Sequence, residues 1–443
     1  MHHSDFIQLP MTLKDKLISD FKDAELRLNG EAQTPLHRTR QQALRSFEEL
    51  GFPTVRHEEW KYSNVSTLAK QAFDFGQATN FGQAEVAQLS IPKLDGNILY
   101  FVNGVYRADL SKVVSDPTTL KISSFAEATK ANPGLIERHF AKYANFEDNA
   151  FTALNTAFTH DGVVIEVPDN QVVAEATVLR FVNDARTANA ASQPRNLIVA
   201  GKNAQIKVAE SFRTVGDFAG FTNVVTEIVL HENANVEYYK VQNESDNSYH
   251  IGTTQVCQHD KSHFYSATVT LNGGFVRNNL NIVLDGHHCE AFMYGLYFPN
   301  GKQHVDNHTL VDHAKPNSYS NEVYKGILKD KSTGVFNGKI FVRQDAQKTN
   351  AYQTCRNVVL SDEASMNTKP QLEIYADDVK CSHGTTTGKL DDEALFYMRS
   401  RGIPKDQAMT LLTLAFCDDV VSQIKIDAIR EYLRELIQEK LAE

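Results

Sequence analysis

No apolar run in the sequence approaches the ~20 residues that a membrane-spanning helix needs. The longest near the C-terminus covers residues 409–416, so a soluble protein without membrane contact is expected. The opening MHHSDFIQLP has neither the basic nor the apolar segment of an export signal. Cysteine is sparse and odd in number: Cys257, Cys289, Cys355, Cys381 and Cys417. Free thiols in a reducing cytoplasm are expected, not a disulfide framework. A positive charge excess is also missing. The net charge of −10 argues against nucleic acid, whose binding rests on Lys and Arg against phosphates. Nucleotide loops are absent too. Gly295 to Gly301-Lys302 has five intervening residues and then Gln303; Gly334 to Gly338-Lys339 has three and then Ile340. A P-loop needs four and then Ser or Thr, and no GxGxxG occurs, so an intrinsic ATPase and a dinucleotide site are excluded.

What is present falls into three regions: 1–97 helical, 98–390 a β core, and 391–443 helical again. Leu13, Leu17, Phe21, Ala24 and Leu28 are spaced by four, four, three and four, one apolar stripe ending at Asn29-Gly30. Thr34 and Pro35 open a second helix, and Gly51 and Pro53 close it. The single tryptophan, Trp60, lies in HEEWKY, where Lys61 occupies the place of the second histidine of a metalloprotease helix. A helical interlude is expected near 124–158. Around it, short runs such as VVIEV, ATVLRFV, AQIKVA, VEYYKV, FYSATV and QLEIY read as strands, continuing to about Cys381. Polar turns ending in a small residue recur at Ala204, Ala234, Ser262 and Cys289, spaced by 30, 28 and 27, with a looser copy at Ala364. That period predicts a β-solenoid, with a large β-sandwich as the alternative. The exposed ends of a solenoid call for caps, a role the terminal helices would fill. In the last region Asp391 or Asp392 caps a helix stopped by Gly402, Pro404 starts the next at N1, and Ile426, Ile429, Leu433 and Leu436 line the final one.

Three clusters could carry chemistry. In His287-His288-Cys289 only His287 and Cys289 would share a strand face, an incomplete metal site. His304, His308 and His313 form a looser set, with His304 and His308 on one face. KCSHGTTTG, residues 380–388, places Cys381 and His383 on one face with Val379. It reads as a strand end with a buried cysteine, as half of a metal site, or as a nucleophile beside its base. No oxyanion hole or third orienting residue accompanies the last reading. A thiolate and an imidazole suit iron or zinc, but two ligands cannot close a four-ligand site. Two rival classes remain: a β-helix enzyme acting on acidic polysaccharide, and a zinc or redox module using Cys381.

PQLEIYADDVKCSHGTTTGKLDDEALFYMRSRGI, residues 370–403, resembles the C-terminal signature of SufD in the SufB/SufD family, which serves the SUF iron–sulfur cluster assembly machinery. KGILKDKSTGVFNGKIFV and LGFPTVRHEEWKYSNV are similar to the family as well. SufB carries a Glu-His-Glu-Ala type sequence where this chain has Ser382-His383-Gly384-Thr385. The resemblance implies a right-handed parallel β-helix between helical regions, and a non-catalytic scaffold role. It implies pairing with SufB through the C-terminal ends of the two β-helices and docking of the SufC ATPase by the C-terminal helices. Asp391, Phe396, Tyr397, Arg399, Arg401 and Gly402 mark that docking region. A cysteine desulfurase system supplies sulfur indirectly. His383, with Cys381 beside it, would stand at the SufB interface and contribute to a metal or cluster site completed by the partner. No cofactor is then expected to bind the isolated chain tightly; the nascent iron–sulfur cluster is transient cargo of the complex. A homodimer of the isolated chain, through the surface otherwise given to SufB, stays open.

Overall fold

A computed structural model of the protein describes residues 12–26, 34–76 and 79–442. The opening segment and the helix stop expected at Leu28, Asn29 and Gly30 lie outside the described residues. The chain is mainly β, 41% strand and 25% helix, built as a β-solenoid of about 8 turns with helices toward both termini. Successive strands alternate between two sheets. One runs from Val163–Val167 to Ser365–Ile374, the other from Thr177–Asp184 to Val379–Gly388, and neighbours along these stretches pair in parallel. At the N-terminal end the order changes: Lys121–Ser124 and Val105–Lys112 add antiparallel partners. The expected interlude is present as Phe125–Ala131, Pro133–His139 and Ala150–Ala157, the first capped by Ser124.

The recurring polar turn has a simple geometry. Asn203, Asn233, Lys261 and His288 take left-handed backbone angles, φ 57° to 58°, and each is followed by a fully buried small residue, Ala204, Ala234, Ser262 or Cys289. The chain reverses at the left-handed residue, and only a small side chain fits the corner beneath it. The series continues at Ser318 and Thr349, after left-handed Asn317 and Lys348. Ala364 belongs instead to the opposite set of turns, the one leading into Ser365–Ile374. Its looser spacing has that cause. Asparagines also stack at these corners: Asn233 Nδ2 donates to Asn203 Oδ1 at 2.8 Å, and Asn203 Nδ2 to Asn170 Oδ1 at 2.7 Å.

Alternating residues point into the lumen between the sheets. Val224, Ile228 and Leu230 face Val236, Phe264 and Met293 there. The opposite faces are apolar too, and they decide where the helices go. Leu13, Leu17, Phe47, Trp60 and Phe151 cover Phe221, Ile251 and Phe275 on the first sheet. Cys417, Val420, Val421, Ile429, Leu433 and Ile437 cover Tyr239, Val269, Leu296 and Ile327 on the second. The terminal helices therefore flank the solenoid rather than cap its C-terminal end. The sheet faces offer far more apolar area than the edge of one coil, so burial is larger on the flank. The other helix signals are reproduced with a one-residue shift. Thr34 and Asp391 are N-caps, and Pro404 is the cap residue before Lys405–Val421 instead of its first residue.

Polar anchors pin each flank. Glu227 accepts backbone N–H groups of Ala141, Tyr143 and Ala144 at 2.9–3.1 Å and pairs with buried Arg195. The Arg277 guanidinium lies 4.1 Å from the Trp60 ring centroid, and its Nη1 donates to Asp306 Oδ2 at 2.9 Å. Ser63 Oγ donates to the same oxygen at 2.5 Å, and His308 Nε2 stands 3.0 Å from Oδ1. HEEWKY is thus a docking segment. Burial raises the Asp306 carboxyl, but His308, Arg277 and Ser63 together hold it well below the usual carboxylate range. Replacing Asp306 by Ala should leave buried Arg277 without its hydrogen-bonded counter-ion, with only the more exposed Glu59 carboxylate nearby, and cost about 3 kcal/mol in chemical denaturation. A carboxyl lowered on folding contributes stability above its unfolded value of about 4 and loses it as pH falls through the lower folded value. The gap between wild type and Asp306→Ala should therefore close only in strong acid.

Candidate functional site

The strand Val379–Gly388 is the last of its sheet and pairs only with Thr349–Val359, in the register Ala351↔Cys381, Gln353↔His383, Cys355↔Thr385 and Asn357↔Thr387. Ser365–Ile374 ends the other sheet in the same way. The strand does not stop near Cys381 as its small, hydroxyl-rich tail suggests; it continues through GTTTG to Gly388. Three β-branched threonines and an available ladder outweigh the glycines there.

Val379 and Cys381 are half-buried against Ile340, Val342, Ala346, Ala351 and Leu372 at the end of the lumen. Lys380, Ser382 and His383 are exposed. Val379, Cys381 and His383 do share a strand face, the one directed toward the lumen, with His383 at the open mouth. Burial pushes the Cys381 thiol up, partly offset by a backbone hydrogen bond from Ala351. All five cysteines are free thiols. Burial pushes Cys355 and Cys417 up to about 12 and Cys257 to about 11, so none of these three is a ready thiolate.

The other histidine clusters dissolve. His287, His288 and Cys289 lie in a turn, not a strand; Cys289 is buried with its Sγ 3.2 Å from the His259 carbonyl oxygen. His304 and His308 face outward with Asp306, whereas His313 faces the lumen, where burial lowers it to about 3. Among the described residues no group of three or more His, Cys, Asp or Glu side chains is arranged to hold a metal ion. Of the two rejected phosphate loops, residues 334–340 lie within the strand Thr333–Val342, whereas residues 295–303 run from the end of the strand Glu290–Tyr297 into a turn at Gly301-Lys302. Gly295 and Gly338 are glycines because a Cβ would stand 2.2 Å from the Tyr324 ring and from the Gln353 amide, respectively.

Two polar residues that the sequence did not single out lie beneath His383. Gln353 and Glu322 are 2% and 1% exposed, and Gln353 Nε2 donates to Glu322 Oε2 at 2.9 Å. Burial pushes the Glu322 carboxyl up to about 7, against the opposing hydrogen bonds of Thr309 and Gln353. The signal available was a glutamate two residues from Tyr324 and Ser320 on one strand, legible only once that face is known to be the lumen.

The C-terminal helix Asp392–Ser400 buries none of its residues. Asp391 caps it, accepting from the Glu393 and Ala394 N–H groups at 2.9 and 3.2 Å. Phe396 and Tyr397 are 74% and 59% exposed. The Arg401 guanidinium lies 5.3 Å from the Tyr397 ring centroid and donates to its hydroxyl at 3.2 Å. Arg399 is exposed as well, and Gly402, at φ 88°, ends the element. Among the described residues no helix is long and apolar enough to cross a membrane.

Comparison with known proteins matches this architecture along its length. Residues 181–416 match the SUF system FeS cluster assembly, SufBD core domain, and residues 11–179 match the SufBD protein N-terminal region. The chain is 31% identical to an iron–sulfur cluster assembly SufBD family protein of Synechocystis, over 96% of this chain and 95% of that protein. It is 29% identical to the iron–sulfur cluster assembly protein SufD of Escherichia coli, over 90% and 92%. A solenoid of this kind, with core and N-terminal matches across nearly the whole chain, makes the protein a member of the SufB/SufD family of iron–sulfur cluster assembly proteins.

Proposed function

We propose that the chain is a non-enzymatic scaffold subunit of the cytoplasmic SUF machinery, acting as SufD. It pairs with SufB through the open end of its solenoid, where His383 and Cys381 contribute to assembly of a nascent iron–sulfur cluster. The cluster is cargo, and its sulfur comes indirectly from a cysteine desulfurase. The observation that carries this reading is the open end itself. Two terminal strands, Ser365–Ile374 and Val379–Gly388, each have one paired neighbour, and the second is exposed from Ser382 to Gly388. Unpaired strand edges recruit other strands. One thiol and one imidazole leave a four-ligand site half complete, and a second subunit across that edge supplies the remainder. Incomplete, mixed ligation suits a cluster that must later be released.

The docking surface for the SufC ATPase is the unburied helix Asp392–Ser400 and the turn after it. Phe396, Tyr397 and Arg401 offer the aromatic and guanidinium anchors that dominate interface energetics.

His383→Ala should melt like the wild type and yet lower the cluster yield of the reconstituted complex. Wild-type yield would refute the assignment. Truncation at Asp391 is a poor test of SufC docking, because the last helices cover Val269, Leu296 and Ile327. Phe396→Ser combined with Tyr397→Ser should instead abolish co-purification with the ATPase while leaving the fold intact; retained binding would place the contact elsewhere. Since burial raises the Cys381 thiol, alkylation there should be slower than for a free cysteine at pH 7 and should go on rising with pH after the rate for a free cysteine has levelled off. Addition of SufB should protect it, as read by peptide mass spectrometry.

A further inference from the structure

His383 stands at the top of a lumen-facing column whose chemistry changes along the solenoid. In register the column reads Met293, Glu322, Gln353, His383. The first is apolar core; the next two are buried and polar; the last is exposed. Adjacent strands are about 4.8 Å apart, so each side chain stacks on the one before it. Packing alone does not call for a carboxyl here. No cation is among the groups that set the Glu322 ionisation, and Tyr324 and Cys355 are the other titratable groups around it.

The Gln353 amide is held at one end only. Its Nε2 is committed to Glu322, while Oε1 is buried and has no partner. Room for the amide is made from the opposite sheet by Gly338, where a Cβ would stand 2.2 Å from Nε2. A buried carbonyl oxygen left unpaired costs about 1–3 kcal/mol. The exposed imidazole one coil further on carries the missing donor.

We propose that Gln353 is a positioning residue for His383, its free carbonyl oxygen receiving one imidazole N–H, and that Glu322 holds the amide in the orientation that presents that oxygen. Glu322 Oε2 accepts from the amide NH2 group and so turns the carbonyl toward the open end. With one ring nitrogen tied as a donor, the other is left with its lone pair for iron. Ligand histidines are commonly fixed in this way, and loss of such a partner costs 10–100-fold in metal affinity or activity. The inference rests on the role proposed above for His383.

A double-mutant cycle on the complex reconstituted with its partner subunits tests it, with cluster yield read by visible absorption. Gln353→Met should lower the yield about tenfold in the wild-type background and produce no further loss in His383→Ala. Gln353→Glu combined with Glu322→Gln, which restores the donor–acceptor pair in reverse and keeps an acceptor oxygen at position 353, should retain most of the yield. An equal loss from Gln353→Met in both backgrounds, or no loss in the wild type, would overturn the role of Gln353 while leaving that of His383 intact. An undiminished yield in His383→Ala alone would instead overturn the parent reading. Melting and partner co-purification verify that Gln353→Met folds. If it does not, Glu322→Gln takes its place in the same cycle, with loss expected only when His383 is present.

Discussion

Everything in this molecule follows from the inter-coil backbone ladder. Each coil satisfies its N–H and C=O groups on the coils before and after it, so register, corner geometry and lumen columns all repeat together. The same ladder cannot terminate itself. A last coil always has one unpaired edge, and the helices that might have covered it are drawn to the broader apolar faces on either flank. The open end is thus a consequence of where apolar area is largest.

The flanks are held by apolar contact and by a few buried ionic anchors of different character. Glu227 gathers three backbone N–H groups and Arg195, tying the helical interlude to the first sheet. Arg277 and Asp306 receive Trp60 and Ser63, tying HEEWKY to the same sheet further along. On the opposite side Lys440 Nζ donates to the Leu271 carbonyl and to Asn272 and Asn300 at 2.6–2.7 Å. These groups add direction to burial, because breaking a buried pair leaves a charge without compensation. The lumen carries buried polar groups in its earlier coils as well, Glu210 beside Lys240, Asn196 and Thr226, and at the C-terminal end it passes from Met293 to Glu322, Gln353 and His383. That last column brings polar chemistry to the open C-terminal edge of the solenoid.

Much of the architecture was legible in residue pattern. The corners at Ala204, Ala234, Ser262 and Cys289 revealed the coil because a left-handed residue followed by a small buried one leaves a repeating signature. Ala364 blurred it, since two sets of turns share similar composition but sit on opposite sides of the solenoid. The pair Cys381 and His383 was also legible, because a spacing of two places residues on one strand face. His287 and Cys289 failed the same rule because their segment is a turn, and the rule holds only where the backbone is extended.

Local pattern alone therefore specified strands, corners, helix caps and the shared face of Cys381 and His383, because these depend on φ/ψ preferences and on neighbours a few residues away. It could not assign the helices to the flanks, place Glu322 and Gln353 beneath His383, or reveal that Gly338 yields space to an amide. Those relations join residues half a coil or more apart in sequence. They exist only once the ladder has set the register and the two sheets have closed on one another.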